Sequence, residues 1–327
     1  MNIDNYIKKI FQINNEVEFN DYALKLFHYQ YKNNNIYNEY IRLIKCKIDT
    51  ITHYSQIPFL PIEFFRTKRI ISTKKPDQHI FLSSGTTSSL KSKHHITDLE
   101  VYKKSINKGF ELFFGSPKEF IFLCLVPSFT KNKHSSLAFM CNELINLSNH
   151  PNSGFYLNEN EKLISTIRQC QKENNKFILL GLSFELLKIA NNYNIPLLDG
   201  LVIETGGTKN KQKRIVKEDM HNRLKRLFQT ENIISEYGMA ELLSQSYYCN
   251  KNFFKSPPWK KILIRNKTNP LEIETKSHRG HINIIDLANI YSCGFIATND
   301  TGQLTQSGFN ITGRSQNASN RGCNLMI

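Results

Sequence analysis

The fold is decided by residues 177–208, FILLGLSFELLKIANNYNIPLLDGLVIETGGT, in which two apolar runs enclose an amphipathic stretch. The runs at 177–180 and 201–203 are near-continuous in apolar side chains and of strand length. Such runs are typical of strands that are buried on both faces of a parallel sheet. The stretch between them has apolar side chains at helical spacing. This β–α–β pattern predicts a parallel sheet with right-handed crossovers.

The same alternation of apolar runs and amphipathic stretches extends on both sides of this segment. Strands are predicted at 80–82, 120–126, 154–157, 176–181, 200–204 and 232–236. Helices are predicted from a capping box at Thr97 to Phe114, and at 135–147, 159–173, 183–193 and 212–228. Beyond residue 255 short strands are predicted at 261–265, 271–274, 281–286, 294–297 and 309–312. The chain is therefore predicted to have an α/β fold with doubly wound, largely parallel sheets, followed by a small β subdomain.

The first fifty residues are polar and rich in Asn, with helical spacing only in pieces, so two or three short helices are predicted there. Pro58 and Pro61 exclude a regular helix and favour an extended segment at 57–62. These changes divide the chain into three predicted parts. They are an N-terminal helical segment (1–56), an α/β core (57–255) and a small β subdomain with a C-terminal tail (256–327).

The chain has 327 residues and a formal net charge of +15, from 43 Lys and Arg against 28 Asp and Glu. Its densest basic stretch lies at 209–226. A basic excess of this kind fits a polyanionic partner, so a nucleic-acid-binding protein is the alternative from a different class of function. No helix-turn-helix, RNP or zinc-finger pattern accompanies the stretch. A solvated helix face near an anionic ligand is therefore favoured, and a nucleic-acid partner is not expected.

Composition also bounds the compartment and the class of protein. Apolar residues make up 40% of the chain, which is enough for a large core and excludes disorder as the main state. The longest apolar run, 120–127, is far shorter than the ~20 residues that cross a bilayer, and residues 1–5 do not begin a secretory signal. The seven Cys residues are scattered without a C-x-x-C pair, which indicates neither a disulfide framework nor a zinc site. Stable membrane insertion is not expected, and a reducing cytoplasm fits best.

Two segments rich in Gly, Ser and Thr follow predicted strands. In the first, SSGTTSS at 83–89, backbone N–H groups and hydroxyls can converge on a phosphate. It matches neither a Walker A loop nor a dinucleotide fingerprint, and a plain surface loop is the alternative. The second, TGGT at 205–208, permits close approach of a flat ring or a phosphate at a strand end. A tight turn is its alternative.

Three further segments carry side chains that suit a nucleotide. In SEYGMAE, Tyr237 offers an aromatic face for a base and Glu241 offers a carboxylate for Mg²⁺. Glu241 in the first turn of a helix is the alternative. In TNDTG, Asp300 can accept both hydroxyls of a ribose, while an ordinary hairpin turn is the alternative. Arg314, which ends FNITGR, suits a phosphate or a ribose edge.

In their order along the chain, these segments resemble the adenylate-forming (acyl-activating) superfamily. Within it they resemble the acyl-protein synthetase family of bioluminescent bacteria, also called long-chain-fatty-acid–luciferin-component ligases. The matching motifs are SSGTT at 83–87, EYGM at 236–239, ITGR at 311–314 and RGCNL at 321–325. The resemblance covers most of the chain from about residue 57 onward. It implies an adenylate-forming N-terminal-domain type of fold, without the C-terminal lid domain of full-length acyl-CoA ligases.

The resemblance also implies a role for each matched residue. The residues that would hold the β- and γ-phosphates of ATP are Ser83, Ser84, Gly85, Thr86 and Thr87. Gly206 and Gly207 would line the adenine pocket, and Tyr237 would stack on or border the purine, with Gly238 beside it among the ATP-binding residues. Asp300 would bind the ribose hydroxyls, Arg314 would contact the ribose or phosphate side, and Glu241 would ligand Mg²⁺. The core at 57–255 would thus be the nucleotide-binding part of the chain.

One position departs from the family pattern. Superfamily members commonly carry a Thr where this chain has Ala240, with the Thr hydroxyl on the α-phosphate. The corresponding hydrogen bond would be missing here, or it would be supplied by another group such as Ser244.

The C-terminal tail carries a candidate acyl acceptor. Cys323 follows Arg321, and a nearby Arg favours the reactive thiolate form. A small apolar side chain in a terminal strand is the alternative. In the resembling family a cysteine at this position accepts the acyl group as a thioester. The other six cysteines are expected to serve packing.

His134 is a further candidate catalytic residue. It follows the strand predicted at 120–126 and begins a predicted helix. At the carboxyl end of that strand it would face the reacting carboxylate, where a donor offsets charge. A polar residue at the N-terminus of the helix is the alternative.

A hydrolase and a metal site are competing predictions. GLSFE, which contains Ser183, resembles a nucleophile elbow, but Glu185 stands where the pattern G-x-S-x-G needs its second Gly. Ser183 is therefore predicted to cap the following helix. His278, His281 and Cys293 are too few and too spread over short strands to predict a metal site.

The resemblance implies an enzyme that uses ATP and Mg²⁺ to activate a carboxylic acid as an acyl-adenylate, with fatty acids as the acids that the relatives use. The acyl group would pass to a thiol, with Cys323 preferred and coenzyme A or a carrier protein as the alternative. An acyl reductase or an acyl carrier is the implied protein partner.

Overall fold

The computed structural model describes residues 1–84, 90–206, 217–249, 253–266, 269–274 and 277–314. Contacts divide the chain into two compact units that are each discontinuous in sequence. The first unit draws on 1–105, 239–244 and 252–327, and the second draws on 106–238 and 245–251. The division predicted after residues 56 and 255 follows composition rather than contacts, and it stays a prediction.

The helices and strands of the described residues are as follows. The α-helices are α1 (Ile3–Ile10), α2 (Glu16–Asn33), α3 (Asn35–Leu43), α4 (Phe64–Thr67), α5 (Leu99–Phe114), α6 (Ser136–Ser148), α7 (Asn160–Lys172), α8 (Ser183–Asn192) and α9 (Lys217–Phe228). The strands are β1 (Leu60–Pro61), β2 (His79–Leu82), β3 (Lys93–Ile96), β4 (Ile121–Leu125), β5 (Gly154–Phe155), β6 (Phe177–Leu182), β7 (Gly200–Thr205), β8 (Ile233–Tyr237), β9 (Ser246–Cys249), β10 (Phe253–Lys255), β11 (Lys260–Arg265), β12 (Arg279–Asp286), β13 (Phe295–Thr305) and β14 (Gly308–Arg314).

The second unit contains the predicted parallel sheet. Its strands lie in the order β5, β4, β6, β7, β8, and every neighbouring pair among them is parallel. β9 then pairs with β8 in the antiparallel direction. Strands that follow one another along the chain thus lie side by side with helical crossovers, as the β–α–β pattern predicts.

Helices cover both faces of this parallel sheet. Successive side chains of a strand point to opposite faces, so neighbouring residues of β4 contact different helices. Leu123 belongs to the buried cluster that the sheet forms with α7, α8 and α9. Its neighbour Phe122 packs edge-on against Phe110 of α5, with ring centroids 5.3 Å apart. Cys124 contacts Cys141 of α6. The predicted α/β fold with a doubly wound, largely parallel sheet is therefore confirmed.

The first unit contains an antiparallel sheet and a separate hairpin. The strands of the sheet lie in the order β11, β12, β13, β14, β10, and β1 lies beside β13 in the parallel direction. β2 and β3 form a two-stranded antiparallel hairpin. The predicted extended segment at 57–62 thus supplies β1, because its prolines suit a short strand.

The N-terminal helices pack on strands from the far end of the chain. The ring of Tyr37 in α3 stacks on Phe295 of β13, with ring centroids 6.1 Å apart. The amide of Gln30 in α2 donates to the carbonyl of Asn289 at 2.8 Å and accepts from the N–H of Gly294 at 2.9 Å. All five residues are buried. The helical segment is therefore part of the first unit's core.

Several predicted elements differ from the structure. The strand predicted at 271–274 is reduced to a single antiparallel bridge between Ile273 and Arg265. The helix predicted to begin at Thr97 begins at Leu99, where Asp98 accepts from the N–H of Glu100 at 3.1 Å. Of the short helices predicted in the N-terminal segment, α1 and α3 have 8 and 9 residues, whereas α2 is longer than expected, with 18 residues. No helix in the described part of the chain is both long and apolar enough to span a bilayer.

Candidate active site

The Ser/Thr-rich segment directly follows β2, as predicted. The N–H of Ser83 donates to the carbonyl of Ser92 at 3.0 Å. The N–H of Ser92 donates back to Ser83 Oγ at 3.0 Å. These bonds fix the base of the β2–β3 connection. Ser83 is half-buried and Ser84 is exposed, whereas Gly85, Thr86 and Thr87 lie outside the described residues.

Glu241 carries a buried carboxyl group in the first unit. It lies in a turn rather than in a helix, closed by a bond from the N–H of Leu242 to the carbonyl of Met239 at 3.1 Å. Its residue is only 4% exposed. Burial raises the pKa of Glu241, while a hydrogen bond from Ser92 and the charges of Arg314 and Arg66 act in the opposite direction. A desolvated carboxylate with nearby cations is suited to an electrostatic role.

The turn that carries Glu241 is anchored by a second buried carboxyl group. Asp286 has no solvent exposure. Its Oδ2 accepts from the N–H groups of Leu243 at 2.9 Å and Ser244 at 3.0 Å. The ammonium of Lys260 donates to the carbonyl of Ser244 at 2.9 Å and acts on Asp286 by charge. The backbone just after Glu241 is therefore fixed to β11 and β12.

Ser244 is committed to this anchor and does not replace the Thr hydroxyl that is missing at Ala240. Its hydroxyl donates to Asp286 Oδ1 at 2.7 Å and accepts from the indole N–H of Trp259 at 2.9 Å. Ser244 is 1% exposed. Because a serine hydroxyl has one hydrogen, and Asp286 takes it, the structure favours the other alternative, in which the hydrogen bond to the α-phosphate is missing.

Asp300 and Arg314 form a cross-strand pair. The two residues lie opposite each other in the register of β13 and β14. Arg314 Nε lies 3.5 Å from Asp300 Oδ1, with side-chain exposures of 61% and 14%. The predicted ribose and phosphate residues are thus neighbours, and the carboxylate is held by the guanidinium.

The segment around Asp300 is not the predicted turn at a strand end. Asp300 lies inside β13, which continues to Thr305, and the register with β14 shifts between Thr301 and Gly302. A Cβ atom on Gly302 would lie 2.3 Å from the carbonyl oxygen of Asn310. The glycine therefore permits close approach of two strands at a bulge rather than a hairpin turn.

Within the first unit these contacts form a continuous series. Ser83 bonds to Ser92, Ser92 bonds to the carboxyl group of Glu241, and Glu241 lies in the field of Arg314. Arg314 in turn pairs with Asp300. Four of the predicted site residues from this unit are therefore linked, and Ser92 is the one member that the sequence analysis did not single out.

In the second unit, the predicted glycine motif begins at the end of β7. Gly206 has φ = +78°, which is the left-handed region that favours glycine. Its carbonyl oxygen lies 2.9 Å from Ser183 Oγ. Gly207 lies outside the described residues.

Tyr237 and Gly238 follow the next strand of the same sheet. Tyr237 ends β8 and is half-buried. A Cβ atom on Gly238 would lie 2.5 Å from Glu236 Oε1. Thr205 Oγ1 donates to Glu236 Oε2 at 2.5 Å, which joins the carboxyl ends of β7 and β8. The predicted adenine-binding residues of this unit therefore lie at the carboxyl edge of its parallel sheet, where α/β folds bind ligands.

A buried polar network lies beside Gly206. Glu204 is 6% exposed and accepts hydrogen bonds from Ser183 Oγ at 2.5 Å and from Ser235 Oγ. His221 Nε2 lies 2.7 Å from Ser235 Oγ. Because Ser235 gives its hydrogen to Glu204, His221 must donate to Ser235.

This network corrects one prediction. Ser183 is the first residue of α8 and makes no N-cap hydrogen bond there. Its hydroxyl donates to Glu204 instead, and its oxygen lies 2.9 Å from the carbonyl oxygen of Gly206. The available sequence signal was Glu204 itself, a charged residue in the apolar strand LVIET.

His134 lies in an exposed turn before α6. The helix cap is its neighbour Ser135, whose hydroxyl accepts from the N–H of Ala138 at 3.1 Å. His134 is therefore not the capping residue, and its catalytic role stays a prediction.

The described cysteines are mostly buried thiols. Cys124, Cys141, Cys170 and Cys293 are buried and Cys46 is half-buried. Burial raises the pKa of Cys170 to about 11 and that of Cys293 to about 12. Cys323 lies outside the described residues.

The described part of the basic stretch forms α9. This helix has Glu218 and Asp219 in its first turn and Lys225 and Arg226 in its last turn. Charges placed in this way complement the helix dipole. Lys225 also pairs with Glu231 at 2.6 Å. The favoured interpretation as a solvated helix face is consistent with this arrangement.

A metal ion here would depend on one carboxylate. Among the residues that the structure describes, no three His, Cys, Asp or Glu side chains cluster to hold a metal. Mg²⁺ in nucleotide sites uses one or two carboxylates together with substrate phosphates. The buried carboxyl group of Glu241, whose pKa is raised by desolvation, fits that requirement.

Comparisons with known proteins place the chain among acyl-activating proteins. A family model described as "Acyl-protein synthetase, LuxE" matches residues 11–327. A search of curated proteins finds no sequence that matches the chain.

Solved structures of adenylate-forming enzymes share the fold. ATP-bound MatB from Rhodopseudomonas palustris superposes with a TM-score of 0.56 and 13% identity, over 75% of this chain and 49% of that chain. A 2-hydroxyisobutyryl-CoA ligase in complex with 2-HIB-AMP superposes with a TM-score of 0.67 and 10% identity, over 91% of this chain and 67% of that chain. A luciferase-like enzyme from the nonluminescent mealworm Zophobas morio superposes with a TM-score of 0.52 and 17% identity, over 74% of this chain and 59% of that chain. The chain spans about half the length of the MatB chain, and at these identities the likeness concerns the fold alone.

Proposed function

Since the chain belongs to the acyl-protein synthetase (LuxE) family, we propose that it activates a carboxylic acid with ATP and passes the acyl group to a thiol. The observation that carries the proposal is the buried carboxyl group of Glu241. It is bonded to Ser92 at the base of the Ser/Thr-rich connection and lies in the field of Arg314, the partner of Asp300. Burial of a charged carboxylate costs free energy unless the group is paired. A carboxylate buried at this position is therefore suited to bind a cation.

The proposed residues of the first unit each act on a different part of ATP. Ser83 and Ser84, with the residues up to Thr87, would donate hydrogen bonds to the β- and γ-phosphates. Asp300 would accept the ribose hydroxyls, since its carboxylate is already oriented by Arg314. Mg²⁺, when held by Glu241, would neutralise charge on the departing pyrophosphate.

For the second unit, taken by itself, the proposed role is contact with a base. The left-handed backbone at Gly206 and the ring of Tyr237 suit a flat purine. Ser183, which donates to the buried Glu204 carboxylate, lies directly beside that turn. Gly207 and Gly238 are proposed to border the same base.

The chemistry would occur in two displacements. In the first, a carboxylate oxygen attacks the α-phosphorus, the bond to the pyrophosphate oxygen breaks, and an acyl-adenylate forms. His134 is proposed to face the reacting carboxylate. In the second, a thiolate attacks the acyl carbon, the bond from that carbon to the AMP oxygen breaks, and AMP leaves. Positioning and charge stabilisation would supply most of the rate enhancement.

Cys323 is the proposed acceptor of the acyl group. The thiolate is the reactive form of cysteine, and burial raises the pKa of Cys170 and Cys293 away from neutrality. Arg321 beside Cys323 would favour its thiolate. Coenzyme A or a carrier protein is the alternative acceptor. A fatty acid is the proposed acid, and an acyl reductase the proposed recipient of the product, by analogy with the family.

The activation step is tested by acid-dependent ATP–pyrophosphate exchange. The purified protein is assayed with a panel of acids that includes fatty acids of several chain lengths and a no-acid control. Asp300→Asn is expected to raise KM for ATP by about 10- to 100-fold, because a hydrogen bond to a charged group is lost. Asp21→Asn, the same change at an exposed surface pair, is the matched control. Absence of exchange with every acid would refute the proposed activity.

The acceptor is tested separately with labelled acid. Cys323→Ser is expected to retain exchange and to lose the hydroxylamine-sensitive label on the protein. Cys46→Ser is the control, since that half-buried thiol has a pKa raised by burial. Label that persists in Cys323→Ser would assign the thioester to another thiol.

A further inference from the structure

A buried histidine contacts the segment that carries Glu241. His94 lies in β3 and is 1% exposed. Its Nδ1 lies 2.7 Å from the carbonyl oxygen of Ala240, and its Nε2 lies 3.1 Å from Oδ1 of Asn289. The ring of Phe65 packs edge-on against the imidazole, with ring centroids 5.8 Å apart. The imidazole therefore has a close polar neighbour at each nitrogen and an aromatic ring against its side.

The amide of Asn289 has one possible orientation. Its Nδ2 donates to the carbonyl of Glu241 at 2.9 Å and to the carbonyl of Cys293 at 2.9 Å. Because both carbonyls only accept, the NH₂ group must face them and Oδ1 must face His94. One side-chain pair therefore contacts two successive carbonyl groups, those of Ala240 and Glu241.

Only one of the two polar contacts of the His94 imidazole is a hydrogen bond. Burial lowers the pKa of His94 to about 4, so the neutral ring carries one N–H at neutral pH. Both neighbours of the ring are acceptors. The shorter contact assigns the hydrogen to Nδ1, which donates to Ala240. His94 therefore supplies one strong bond, and that bond goes to the turn that carries Glu241.

The same hairpin also contacts the side chain of Glu241. Ser92, which precedes β3, donates a hydrogen bond to the Glu241 carboxyl group and is bonded to Ser83 at the base of the β2–β3 connection. Residues 92 and 94 are two apart in extended backbone, so their side chains leave on the same face. The hairpin thus fixes both the backbone and the carboxyl group of this turn.

From this arrangement we infer that His94, together with Asn289, is a positioning pair that keeps the Glu241 carboxylate in place against Ser92 and Ser83 at the base of the β2–β3 hairpin. The inference rests on the proposed function, in which Glu241 holds Mg²⁺ and the connection holds phosphates. In this inference His94 and Asn289 act through the backbone of Ala240 and Glu241 and not by contact with substrate or metal. Their effect is to fix where the carboxylate sits relative to the phosphates that share its cation.

Two substitutions at His94 separate positioning from packing. In His94→Asn the side-chain NH₂ group can occupy the place of Nδ1 and keep a donor for Ala240. In His94→Gln the NH₂ group reaches the place of Nε2, so the bond to Ala240 is lost while side-chain size is retained. His95→Gln is the matched control, because His95 is the next residue and pairs with Asp77 at 2.8 Å outside this arrangement.

Each variant is measured for Mn²⁺ binding by electron paramagnetic resonance in the presence of a non-hydrolysable ATP analogue. Pyrophosphate exchange is then followed as a function of Mg²⁺ concentration, and melting temperature is recorded. We expect His94→Gln to weaken Mn²⁺ binding and to raise the Mg²⁺ requirement by about 10- to 100-fold, as for other residues that orient metal ligands. His94→Asn should recover most of that loss, and His95→Gln should match the wild type.

The outcomes distinguish this inference from the proposed function. Equal Mn²⁺ binding by wild type and His94→Gln overturns the inference while leaving activation intact. Equal loss in His94→Asn and His94→Gln also overturns it, since packing alone would then account for the effect. Absence of exchange in the wild type refutes the proposed function itself. Where His94→Gln does not fold, Asn289→Ser gives the same test, because it removes the donor to the Glu241 carbonyl.

Discussion

Replacement of Asp286 by Asn tests how the turn that carries Glu241 is held. Asp286 is fully buried, and its two oxygens accept from the N–H groups of Leu243, Ser244 and Ala288 and from the Ser244 hydroxyl. An Asn side chain keeps only one of these oxygens. In one orientation Leu243 and Ser244 lose their acceptor, and in the other Ala288 does.

Two opposing effects set the magnitude. Burial raises the pKa of Asp286, so removal of its charge relieves a desolvation cost. Against this, each buried donor left unsatisfied costs about 1–3 kcal/mol, and Lys260 keeps a buried ammonium without its counter-charge. Breaking a buried ion pair from one side costs about 3–5 kcal/mol, which is an upper bound for the lost charge interaction here, because Lys260 bonds to the Ser244 carbonyl and acts on Asp286 by charge. The lost bonds therefore outweigh the relief, and we expect a net destabilisation of about 3–5 kcal/mol.

The measurement is thermal unfolding, followed by circular dichroism. At about 2–4 °C per kcal/mol the melting temperature should fall by at least about 6 °C. Asp21→Asn is the control, because Asp21 pairs with Lys25 on the surface and such pairs contribute less than about 1 kcal/mol. A melting temperature for Asp286→Asn equal to that of the control would refute the reasoning, since relief of desolvation would then balance the lost bonds.

Three further predictions concern the carboxyl group, the buried network and the aromatic core. Burial raises the pKa of Glu241. The protonated side chain therefore contributes fully to the free energy of unfolding at a pH below its ordinary pKa, and this contribution is lost as the pH rises through the raised pKa. Glu241→Gln should therefore melt as the wild type does at about pH 4 and at a higher temperature at about pH 8, in thermal scans without ATP. Ser183→Ala removes a donor to the buried Glu204 carboxylate and should cost about 1–3 kcal/mol in urea denaturation, so an unchanged midpoint would contradict this bond's role. Phe295→Ala, at a fully buried site, should lower the free energy of unfolding in urea by about 3–5 kcal/mol. Its control is Leu43→Ala, at a residue that is 73% exposed, which should change that free energy by less than about 0.5 kcal/mol.

The parallel sheet could be predicted from sequence because burial on both faces leaves a direct mark on composition. The runs at 177–180 and 201–203 became β6 and β7, and the helix between them became α8. Their partners are also near in sequence, so the local pattern and the final pairing agree. Local and long-range preferences point to the same structure in this part of the chain.

Asp300 shows where local pattern was insufficient. Asp-x-Gly is typical of hairpin turns, yet Asp300 lies within β13 because Gly302 accommodates a bulge against β14. The carbonyl oxygen of Asn310 approaches Gly302 too closely for a residue that has a Cβ atom. That contact depends on the pairing of two strands, and no feature of the five-residue motif encodes it.

The polar contacts of the candidate site were least predictable. Ser183 and Ser244 were each assigned a role from their position in a motif, as a helix cap and as a phosphate contact. In the structure both hydroxyls are used by buried carboxyl groups, Glu204 and Asp286. Glu204 and Asp286 lie on β7 and β12, whereas Ser183 begins α8 and Ser244 lies in a loop. The pairing therefore follows from the tertiary fold rather than from spacing along the chain.

The first unit has a consequence for synthesis of the protein. Tyr37 stacks on Phe295, and Gln30 bonds to the backbone around Asn289 and Gly294. A ribosome adding about 5–20 residues per second reaches those strands on the order of 10 to 50 s after the N-terminal helices emerge. During that interval the aromatic faces of α2 and α3 have no partner strand, while most of the second unit, one continuous stretch, is already complete. The aromatic faces of the nascent N-terminus therefore wait longer for their partner strands than the strands of the second unit wait for theirs.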